Sequence, residues 1–446
     1  MRYIAEVRKG EPLSLEISAL DEDGAGIASG PDGEVRVAGA LPGEQISAVV
    51  EHVSTHRPVA WARLLTVDRP SPARMVPPCP AFGPCGGCRL EHLAYPGQLA
   101  YKTEKITRLF PDAKVEPCVA SPKSIEYRNK TKLATAGAAG AIVFGAYQPR
   151  SHHVVNLTGC RVSEPPTEAI VELVRRLADE ARIAPYDEVS GAGQLRHIIV
   201  RVNHVGQALV CLVASDEAGI DALSANIAAA DPRVVGVVLN LNRSRGNVIL
   251  GSETKLLAGI ATLDEKVGDL VFTLSATAFF QANRSIAERL YRDVLAAAEL
   301  SGKERVIDAY TGIGGIALTL SPYAREIIGI ETHAAAVEDA TRTAQRNGRA
   351  QVRFFAGAVE DLLGSFGPAD RLVLNPPRKG CTAEVLRAIA EVAPARVVYV
   401  SCNPETLARD VTAMAAHGYR LRMVRPYDML PQTPHVEALA VLDRAT

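Results

Sequence analysis

The sequence predicts a multidomain protein in three parts: a small antiparallel β-barrel at the N-terminus, a central α+β domain, and a C-terminal α/β domain with a Rossmann-like sheet. Its 446 residues are too many for one ordinary hydrophobic core. Alternating apolar and polar residues between Gly-rich turns indicate the barrel, whereas continuous apolar strands that alternate with helices indicate a doubly wound parallel sheet. The predicted boundaries are 1–68 for the barrel, 69–92 with 125–275 for the central domain, and 93–124 with 276–446 for the C-terminal domain.

The elements follow one another in a regular order. Strand patterns such as LSLEIS and EQISAVVEHV come first, and then a joint with five prolines in thirteen residues, DRPSPARMVPPCP, predicts an extended linker before a helix near Pro96–Phe110. Between about Tyr127 and Leu274, strands such as QLRHIIVRVN and ALVCLVAS predict a sheet packed on one side. Further on, helices separate the strands ERVIDAY, EIIGIE, RLVLN and RVVYVS.

The composition bounds the class of protein. Apolar residues make up 47% and charged residues 22%, which is typical of a globular chain. No apolar stretch approaches the roughly 18 residues that span a bilayer, and the N-terminus has no apolar secretory core, so we expect a cytoplasmic protein and a monomer. In the cytoplasm the eight cysteines stay reduced, which favours metal binding or catalysis over disulfides.

Positive charge is concentrated in one part of the chain. The net charge is −1, but the segment from Arg69 to Cys160 holds 12 Lys or Arg against 5 Asp or Glu, with tyrosines between them. Such a segment can follow a phosphate backbone while its aromatic rings stack on bases. A solvated charged face is the alternative interpretation.

A cysteine cluster follows the proline-rich joint. Cys79, Cys85 and Cys88 have the spacing C-x5-C-x2-C, and Cys160 can supply a fourth ligand. Thiolates without neighbouring histidines suit zinc or an iron–sulfur cluster. Because zinc ribbons usually have two C-x2-C pairs and this chain has one, the spacing favours iron–sulfur.

A cofactor site is predicted where the strands of the C-terminal domain end. Asp308 and Tyr310 end one strand, Gly312, Gly314 and Gly315 permit a tight turn close to a ligand, and Glu331 ends the next strand, where it can accept hydrogen bonds from a ribose. The glycine spacing does not fit the dinucleotide fingerprint. A tight turn beside a solvated glutamate is the structural alternative.

Three further side chains are predicted to lie where strands of the C-terminal domain end. Two prolines fix Asn375 at the end of a later strand, although rigid proline loops also occur for purely structural reasons. Together with the glycine turn and Glu331, Asn375 favours S-adenosylmethionine over a nicotinamide. Cys402 ends the following strand and suits a nucleophile, and Glu437 begins an apolar strand, where partial burial can tune it as a base. The alternatives are an inert buried thiol and a surface glutamate.

Together these motifs resemble the RNA (uracil-5-)-methyltransferase family over essentially the whole chain. The opening barrel is similar to a TRAM domain, an RNA-binding module, and the segment CPAFGPCGGCRLEHLAYPGQLAYK is similar to the 4Fe-4S region of the family. The resemblance implies cluster ligands at Cys79, Cys85, Cys88 and Cys160. It implies that S-adenosylmethionine is bound by Gln281 in FFQAN, Tyr310, Glu331 and Asn375.

The resemblance also implies a reaction. Cys402 in SCNP would add to C6 of uracil, C5 would take up the methyl group, and Glu437 in HVE would remove the C5 proton. The target base would have to leave its stack. Two departures concern the cofactor contacts, because many members carry Asp at Asn375 and Asn at Gly315.

Three other functions are consistent with some of these motifs. An adenine exocyclic-amine methyltransferase would place an aromatic residue at Arg378, and a radical enzyme would need C-x3-C-x2-C. A non-catalytic RNA-binding protein with a structural metal is a different class. Within the favoured family, the combination of TRAM domain and cluster favours 23S rRNA over tRNA, and we expect the cluster to have a structural role.

Overall fold

The computed structural model describes residues 7–30, 33–149, 151–246 and 248–445. The first six residues of the predicted N-terminal part and Thr446 of the C-terminal part lie outside these ranges. In the described portion, we find no helix with both the length and the apolar character to cross a membrane.

The strands of the described residues fall into three larger sheets and one hairpin. They are β1 (Pro12–Glu16), β2 (Ala19–Leu20), β3 (Gly26–Gly30), β4 (Gly33–Ala38), β5 (Gln45–Val53), β6 (Val59–Arg69), β7 (Lys130–Ala138), β8 (Ala141–Tyr147), β9 (Val154–Asn156), β10 (Leu195–Val202), β11 (Ala208–Ala214), β12 (Val234–Leu241), β13 (Glu253–Gly259), β14 (Thr262–Val267), β15 (Leu270–Ser275), β16 (Arg305–Ala309), β17 (Glu326–Glu331), β18 (Val352–Ala356), β19 (Arg371–Leu374), β20 (Arg396–Ser401), β21 (Tyr419–Tyr427) and β22 (Glu437–Arg444).

The helices pack against the two later sheets. They are α1 (Tyr95–Leu109), α2 (Pro165–Glu180), α3 (Ile220–Ala230), α4 (Arg284–Ala298), α5 (Gly315–Leu320), α6 (Ala334–Arg346), α7 (Val359–Leu362), α8 (Ala383–Val392) and α9 (Pro404–Ala415), with short 3-10 segments at Ser321–Tyr323 and Leu363–Phe366.

The N-terminal sheet has six strands in the order β1-β5-β6-β4-β3-β2. Alternation along β5 buries Ile46, Ala48 and Val50 on one face, as the sequence pattern predicts. Neighbouring strands are antiparallel except β4 and β6, which pair in parallel, so the prediction of a purely antiparallel unit is wrong at that position. Because β1 and β2 lie at opposite ends of the hydrogen-bonded order among the described residues, the closed barrel stays a prediction.

The proline-rich joint is irregular and anchored. It forms no helix or regular strand between β6 and α1, and it contains a turn in which the N–H of Arg74 donates to the Ser71 carbonyl (3.0 Å), so it is not extended throughout as predicted. The guanidinium of Arg74 donates to the Glu44 carboxylate (Nη2 to Oε2, 2.7 Å) and to the carbonyl of Gly39 (2.6 Å). These bonds fasten the joint to the N-terminal sheet.

The central sheet has seven strands in the order β13-β12-β11-β10-β7-β8-β9. One face packs on α2 and α3, and the other face of β10 and β11 buries Ile199, Leu209 and Cys211 against Leu263. The sheet is therefore covered on both sides, contrary to the prediction of one-sided packing. The reason is that every residue of β10 and β11 is buried and that β11, ALVCLVA, is apolar throughout, which requires two dry faces.

The C-terminal sheet also has seven strands, in the order β18-β17-β16-β19-β20-β22-β21. The first five run parallel, as the alternation of strands and helices predicts, whereas β22 and β21 add two antiparallel pairings. This is a Rossmann-like sheet. Ile106 of helix α1 and Phe110, which directly follows the helix, pack into the core of this sheet. Helix α1 nevertheless comes before the whole central sheet in the chain.

Candidate active site

The predicted cofactor residues meet at the carboxyl edge of the C-terminal sheet. Strands β17 and β19 pair in parallel with opposite sides of β16. Tyr310, Glu331 and Asn375 end or follow these three strands, so they lie side by side, and the N–H of Asn375 donates to the carbonyl of Ala309 (3.2 Å). The register therefore brings together three residues that the sequence scatters over 66 positions, from 310 to 375 inclusive.

The turn after β16 holds the Glu331 carboxylate in place at this edge of the sheet. Gly312 and Gly314 have φ values of 56° and 82°, and the non-glycine Tyr310 also adopts a left-handed φ of 62°. The Glu331 carboxylate accepts from the N–H of Gly312 (3.1 Å) and from the N–H of His333 (2.9 Å). These bonds hold the carboxylate at the rim of the turn and leave it lone pairs for hydroxyl donors.

Gly315, one of the two departures from the family pattern, has a packing explanation. A Cβ atom at this position would lie 2.5 Å from the hydroxyl oxygen of Tyr291. Tyr291 of α4 thus occupies the space that a larger side chain would need at the start of α5. The sequence pattern alone contained no sign of this contact.

Asp308 is buried beneath the turn. Its carboxylate accepts from Thr311 Oγ1 (2.6 Å) and from the N–H of Ala317 (3.1 Å), so it ties β16 to the first turn of α5. Burial raises the pKa of Asp308 to about 7 in spite of these donors, and the Glu331 charge adds to the rise. We assign it the role of shaping the glycine turn.

Gln281 lies in the segment before α4, buried at the edge of the same domain. Asn129, next to the start of β7, donates from its side-chain amide to the Gln281 carbonyl (3.1 Å) and from its N–H to the Ala282 carbonyl (3.0 Å). The side-chain amide of Gln281 makes no hydrogen bond within the described part of the chain, so it can meet a ligand. Two residues earlier, Phe279 is 73% exposed, a feature that the sequence analysis passed over.

Cys402 and Glu437 lie on neighbouring strands. Ser401 at the end of β20 pairs with Ala438 of β22, so Cys402 and Glu437 occupy the next position outward on each strand. Because β22 runs antiparallel to β20, its first residue lies at the carboxyl edge of the parallel strands. The sheet thus places the predicted nucleophile beside the predicted base.

Burial and mutual charge perturb both groups. Burial raises the pKa of Glu437 to about 7. Burial also raises the pKa of the half-buried Cys402 thiol, and the negative charge of Glu437 raises it further. The Arg378 guanidinium opposes both shifts and also lowers the pKa of nearby His435, which burial brings to about 4.

Arg378 places a positive charge near Cys402 and Glu437, which the sequence analysis did not predict. It was considered only because it occupies the position of an aromatic residue in another enzyme class. Its carbonyl accepts from the Asn403 side-chain amide (3.0 Å), while Asn403 Oδ1 caps α9 by accepting from the N–H of Glu405 (3.2 Å). A cation directly after two prolines at a strand end was the available signal, because such a loop is rigid.

The cysteine cluster assembles as neighbours. Cys79, Cys85, Cys88 and Cys160 are free thiols of intermediate exposure. Burial, with a further contribution from Cys160, raises the pKa of Cys88 to about 12 and that of Cys79 and Cys85 above the ordinary value. Among the described His, Cys, Asp and Glu residues, no three are arranged to hold a metal ion.

The positive segment is not one exposed face. Lys102 is fully buried against Asp428, and Lys130 is directed inward, where its Nζ donates to the Ala278 carbonyl (3.0 Å). Burial lowers the pKa of Lys130 to about 7. Part of the local charge excess therefore serves internal contacts, which a count along the sequence cannot distinguish from surface charge.

Comparison with known proteins places the chain among RNA-modifying enzymes. A family model described as tRNA (Uracil-5-)-methyltransferase matches residues 349–445, which include both Cys402 and Glu437. An uncharacterized RNA methyltransferase of Halalkalibacterium halodurans is 37% identical over 452 residues, covering 98% of this chain and 98% of that protein. Another, of Geobacter sulfurreducens, is 39% identical and covers 98% of this chain and 90% of its own length.

A solved structure resembles the whole chain. The Pyrococcus abyssi tRNA (uracil-54, C5)-methyltransferase, crystallised in complex with S-adenosyl-L-homocysteine, superposes with a TM-score of 0.79 at 26% identity. The match covers 96% of this chain and 100% of that chain. The likeness therefore extends over the N-terminal and central sheets as well as the C-terminal sheet.

Proposed function

The chain belongs to the RNA (uracil-5-)-methyltransferase family and is an S-adenosylmethionine-dependent enzyme, and from that premise we propose that it methylates C5 of uridine through a covalent adduct on Cys402. The observation that carries the proposal is the register of β20 and β22, which sets Cys402 beside a buried carboxyl group. Family membership also removes the adenine-amine, radical and non-catalytic alternatives.

Cys402 starts the proposed reaction. Uracil C5 is a poor nucleophile, so the Cys402 thiolate first adds to C6, and the electron pair of the C5–C6 double bond moves into an enolate. S-adenosylmethionine, when bound, would supply the electrophilic methyl group: a bond from C5 to the methyl carbon forms as the S–CH3 bond breaks, and S-adenosylhomocysteine is the leaving group. Arg378, whose positive charge favours the thiolate, assists the first addition.

Glu437 completes the proposed reaction by removing the C5 proton. The carboxylate takes the proton from C5, the electrons of that C–H bond restore the double bond, and the C6–S bond breaks to return Cys402 as a thiolate. A pKa of about 7 suits proton transfer at neutral pH. Burial therefore serves the base, because an exposed glutamate would be a weaker proton acceptor.

Four residues are proposed to bind S-adenosylmethionine. Glu331 offers its carboxylate to the ribose hydroxyls, Tyr310 and Asn375 line the same edge, and Gln281 presents an amide that makes no hydrogen bond to any other residue that the structure describes. The donor set fits the ligand, because the glycine turn leaves space and Glu331 is already oriented by two N–H groups.

Cys79, Cys85, Cys88 and Cys160 are proposed to bind a 4Fe-4S cluster with a structural role. Support comes from their chemistry: four neighbouring thiols without a disulfide are held where burial disfavours thiolates unless positive charge compensates. The cluster would connect the joint to the loop before α2.

RNA binding is proposed for the N-terminal sheet, as a TRAM-like module, and for the exposed ring of Phe279. An aromatic ring that is 73% exposed near the cofactor segment offers a stacking surface to a base. The domain limits, the cytoplasmic location and the monomeric state given above stay predictions.

Two RNAs are candidates for the substrate. Large-subunit rRNA is the expectation from the combination of TRAM module and cluster. Transfer RNA is favoured by the name of the family model and by the P. abyssi enzyme, which this chain matches from end to end. Because that tRNA enzyme is matched over its full length, a similar overall architecture does not by itself select rRNA.

The mechanism is tested with RNA that contains 5-fluorouridine. Fluorine at C5 cannot be removed as a proton, so the wild-type enzyme should accumulate a protein–RNA adduct that survives denaturation. Cys402→Ser should give no adduct. With ordinary uridine RNA, Glu437→Gln should accumulate the adduct because elimination is blocked, and failure of the wild type to form any adduct would refute the covalent route.

The substrate is tested by nucleoside mass spectrometry of separately purified rRNA and tRNA from cells lacking this protein. Loss of 5-methyluridine from one fraction identifies the substrate class. Unchanged 5-methyluridine in both fractions would overturn the proposal, provided that a strain complemented with the wild-type chain serves as the reference.

A further inference from the structure

Building on the proposed function, we propose that two residues of helix α1, Gln98 and Lys102, are positioning residues that hold the base Glu437 in place. They act on the loop 428–436, which connects β21 to β22 and leads directly into Glu437. Their partners in this loop are Gln432 and Asp428.

Lys102 and Asp428 form a buried ion pair. Both side chains are fully shielded from solvent, and Lys102 Nζ donates to a carboxylate oxygen of Asp428 and to the Leu430 carbonyl (3.2 Å). The N–H of Asp428 donates to the Val119 carbonyl (3.0 Å), which fixes the first residue of the loop. A buried pair of this kind is weak evidence for stability, because desolvation offsets the attraction, so its role is better sought in the geometry it imposes.

Gln98 and Gln432 form a reciprocal amide pair. Gln98 Nε2 donates to Gln432 Oε1 (2.8 Å), and the N–H of Gln432 donates to Gln98 Oε1 (3.0 Å). Gln432 has a left-handed φ of 69°, a conformation that costs energy in a non-glycine residue and persists where tertiary contacts impose it. The amide pair supplies such contacts at the middle of the loop.

The two pairs act from one face of the helix. Gln98 and Lys102 are four residues apart, so they lie one turn apart on the same side of α1. Tyr127 adds a third tie, because its hydroxyl donates to the Pro431 carbonyl (3.0 Å). The loop is thus held at its beginning and middle by elements outside the catalytic sheet.

The contacts of Gln98, Lys102 and Tyr127 with the loop 428–436 act on Glu437 because this loop is short. Tyr427, the last residue of β21, pairs with Glu437, the first residue of β22, so both ends of the loop are adjacent. Any shift of the nine connecting residues changes where β22 begins and where the Glu437 carboxylate points toward the C5 proton. A misplacement of about 1 Å can cost about a hundredfold in rate.

The experiment uses the full chain with Lys102→Met and Asp428→Leu combined. Replacing both members by apolar groups of similar size avoids an unpaired buried charge, so folding should persist. The probe is an unmodified rRNA or tRNA transcript that the wild-type enzyme methylates. We measure the thermal midpoint, S-adenosylmethionine affinity, single-turnover methyl transfer and the fraction of RNA in a denaturation-resistant adduct.

A displaced base slows elimination more than the earlier steps. We therefore expect methylated adduct to increase about tenfold over the wild type, release of product to slow by a similar factor, and cofactor affinity to stay within about twofold. Gln98→Met should give the same pattern. The matched control is Glu104→Gln, which removes an exposed charge of the same helix and should leave all four measurements unchanged.

The outcomes separate this inference from the proposed function. If Glu437→Gln accumulates adduct while the double variant and Gln98→Met release product like the wild type, the positioning role is refuted and the function stands. If thermal stability, cofactor affinity and methyl transfer fall together without adduct in both variants, the residues are merely structural and the inference fails. If Glu437→Gln itself yields no adduct, the assigned base is wrong.

Discussion

The two seven-stranded sheets of this protein use their strand ends differently. In the C-terminal sheet, five parallel strands end at one edge, and Tyr310, Glu331, Asn375 and Cys402 collect there. In the central sheet most neighbours are antiparallel, so successive strands end at opposite edges, and its described residues form no comparable cluster at one edge. Strand direction, and not the number of polar residues, decides where a site can form.

One cysteine in each sheet makes the difference concrete. Cys211 lies in the middle of β11, fully buried, and burial raises the pKa of its thiol to about 12. Cys402 lies one residue beyond β20, half-buried, with Arg378 and Glu437 beside it. The position of a thiol relative to the strand end separates an inert core residue from a candidate nucleophile.

Alanine substitution of these two cysteines should give the largest contrast. Cys402→Ala should lower methylation by about 10⁴-fold or more, because no covalent adduct can form. Cys211→Ala should leave turnover unchanged and lower stability by about 1 kcal/mol through a small cavity. Steady-state methylation with thermal denaturation checks both, and equal losses of activity would erase the proposed distinction.

The two ends of β17 offer the next comparison. Glu331→Gln at the carboxyl end should weaken S-adenosylmethionine binding about 10- to 100-fold, because a charge-assisted hydrogen bond is lost. Glu326→Gln at the amino end, where the native side chain pairs with Arg305 (3.0 Å), should leave the affinity unchanged. Isothermal titration calorimetry with S-adenosylmethionine measures both affinities. An equal loss of affinity in Glu326→Gln would contradict the placing of the cofactor site at the carboxyl end of β17.

The carboxyl edge should also determine the pH profile. Glu437 must be ionised to accept the C5 proton, and its pKa is about 7. The rate at which methylated product is released from the adduct in a single turnover should therefore rise about tenfold per pH unit below pH 7 and flatten above it, because Cys402 is bonded to C6 at that stage and does not titrate. A rate that falls between pH 6 and pH 8 would exclude Glu437 as the base.

The smallest expected effect concerns stability. The folded pKa of Glu437, about 7, exceeds its ordinary value of 4.5, so its contribution is fully present below pH 4.5 and is lost as pH rises to 7. Glu437→Gln should therefore be more stable than the wild type by about 1–3 kcal/mol at pH 8.5, with no difference at pH 4.5.

Denaturant unfolding at the two pH values measures this difference. The control is Glu384→Gln, an exposed residue of α8 that should match the wild type at pH 8.5. An equal or lower stability of Glu437→Gln at pH 8.5 would show that the native carboxylate is better solvated than its burial implies.

Much of the molecule could be predicted from local patterns. The helix after the cysteine segment was expected near Pro96–Phe110 and is Tyr95–Leu109, and the alternation in the C-terminal half correctly predicted the parallel strands. The family was also predicted correctly from its motifs. Predictions of this kind succeed because apolar periodicity and turn residues report on each element and its immediate neighbours.

Other features depended on contacts that the sequence does not display. The central sheet is covered on both faces, β4 and β6 pair in parallel, and the charge of Lys102 is internal. A charge count or a short pattern cannot distinguish these cases, because each depends on which distant segment covers the residue.

The sequence by itself determined the family and the placing of Tyr310, Glu331, Asn375 and Cys402 at strand ends, because parallel strands must end at a common edge. Only the tertiary structure decided that Glu437 joins them, since this required an antiparallel β22 beside β20. It likewise decided that Arg378 lies near the Cys402 thiol and that α1 holds the loop before Glu437. These contacts join residues far apart in the chain, and their geometry is set by the order of strands in the sheet.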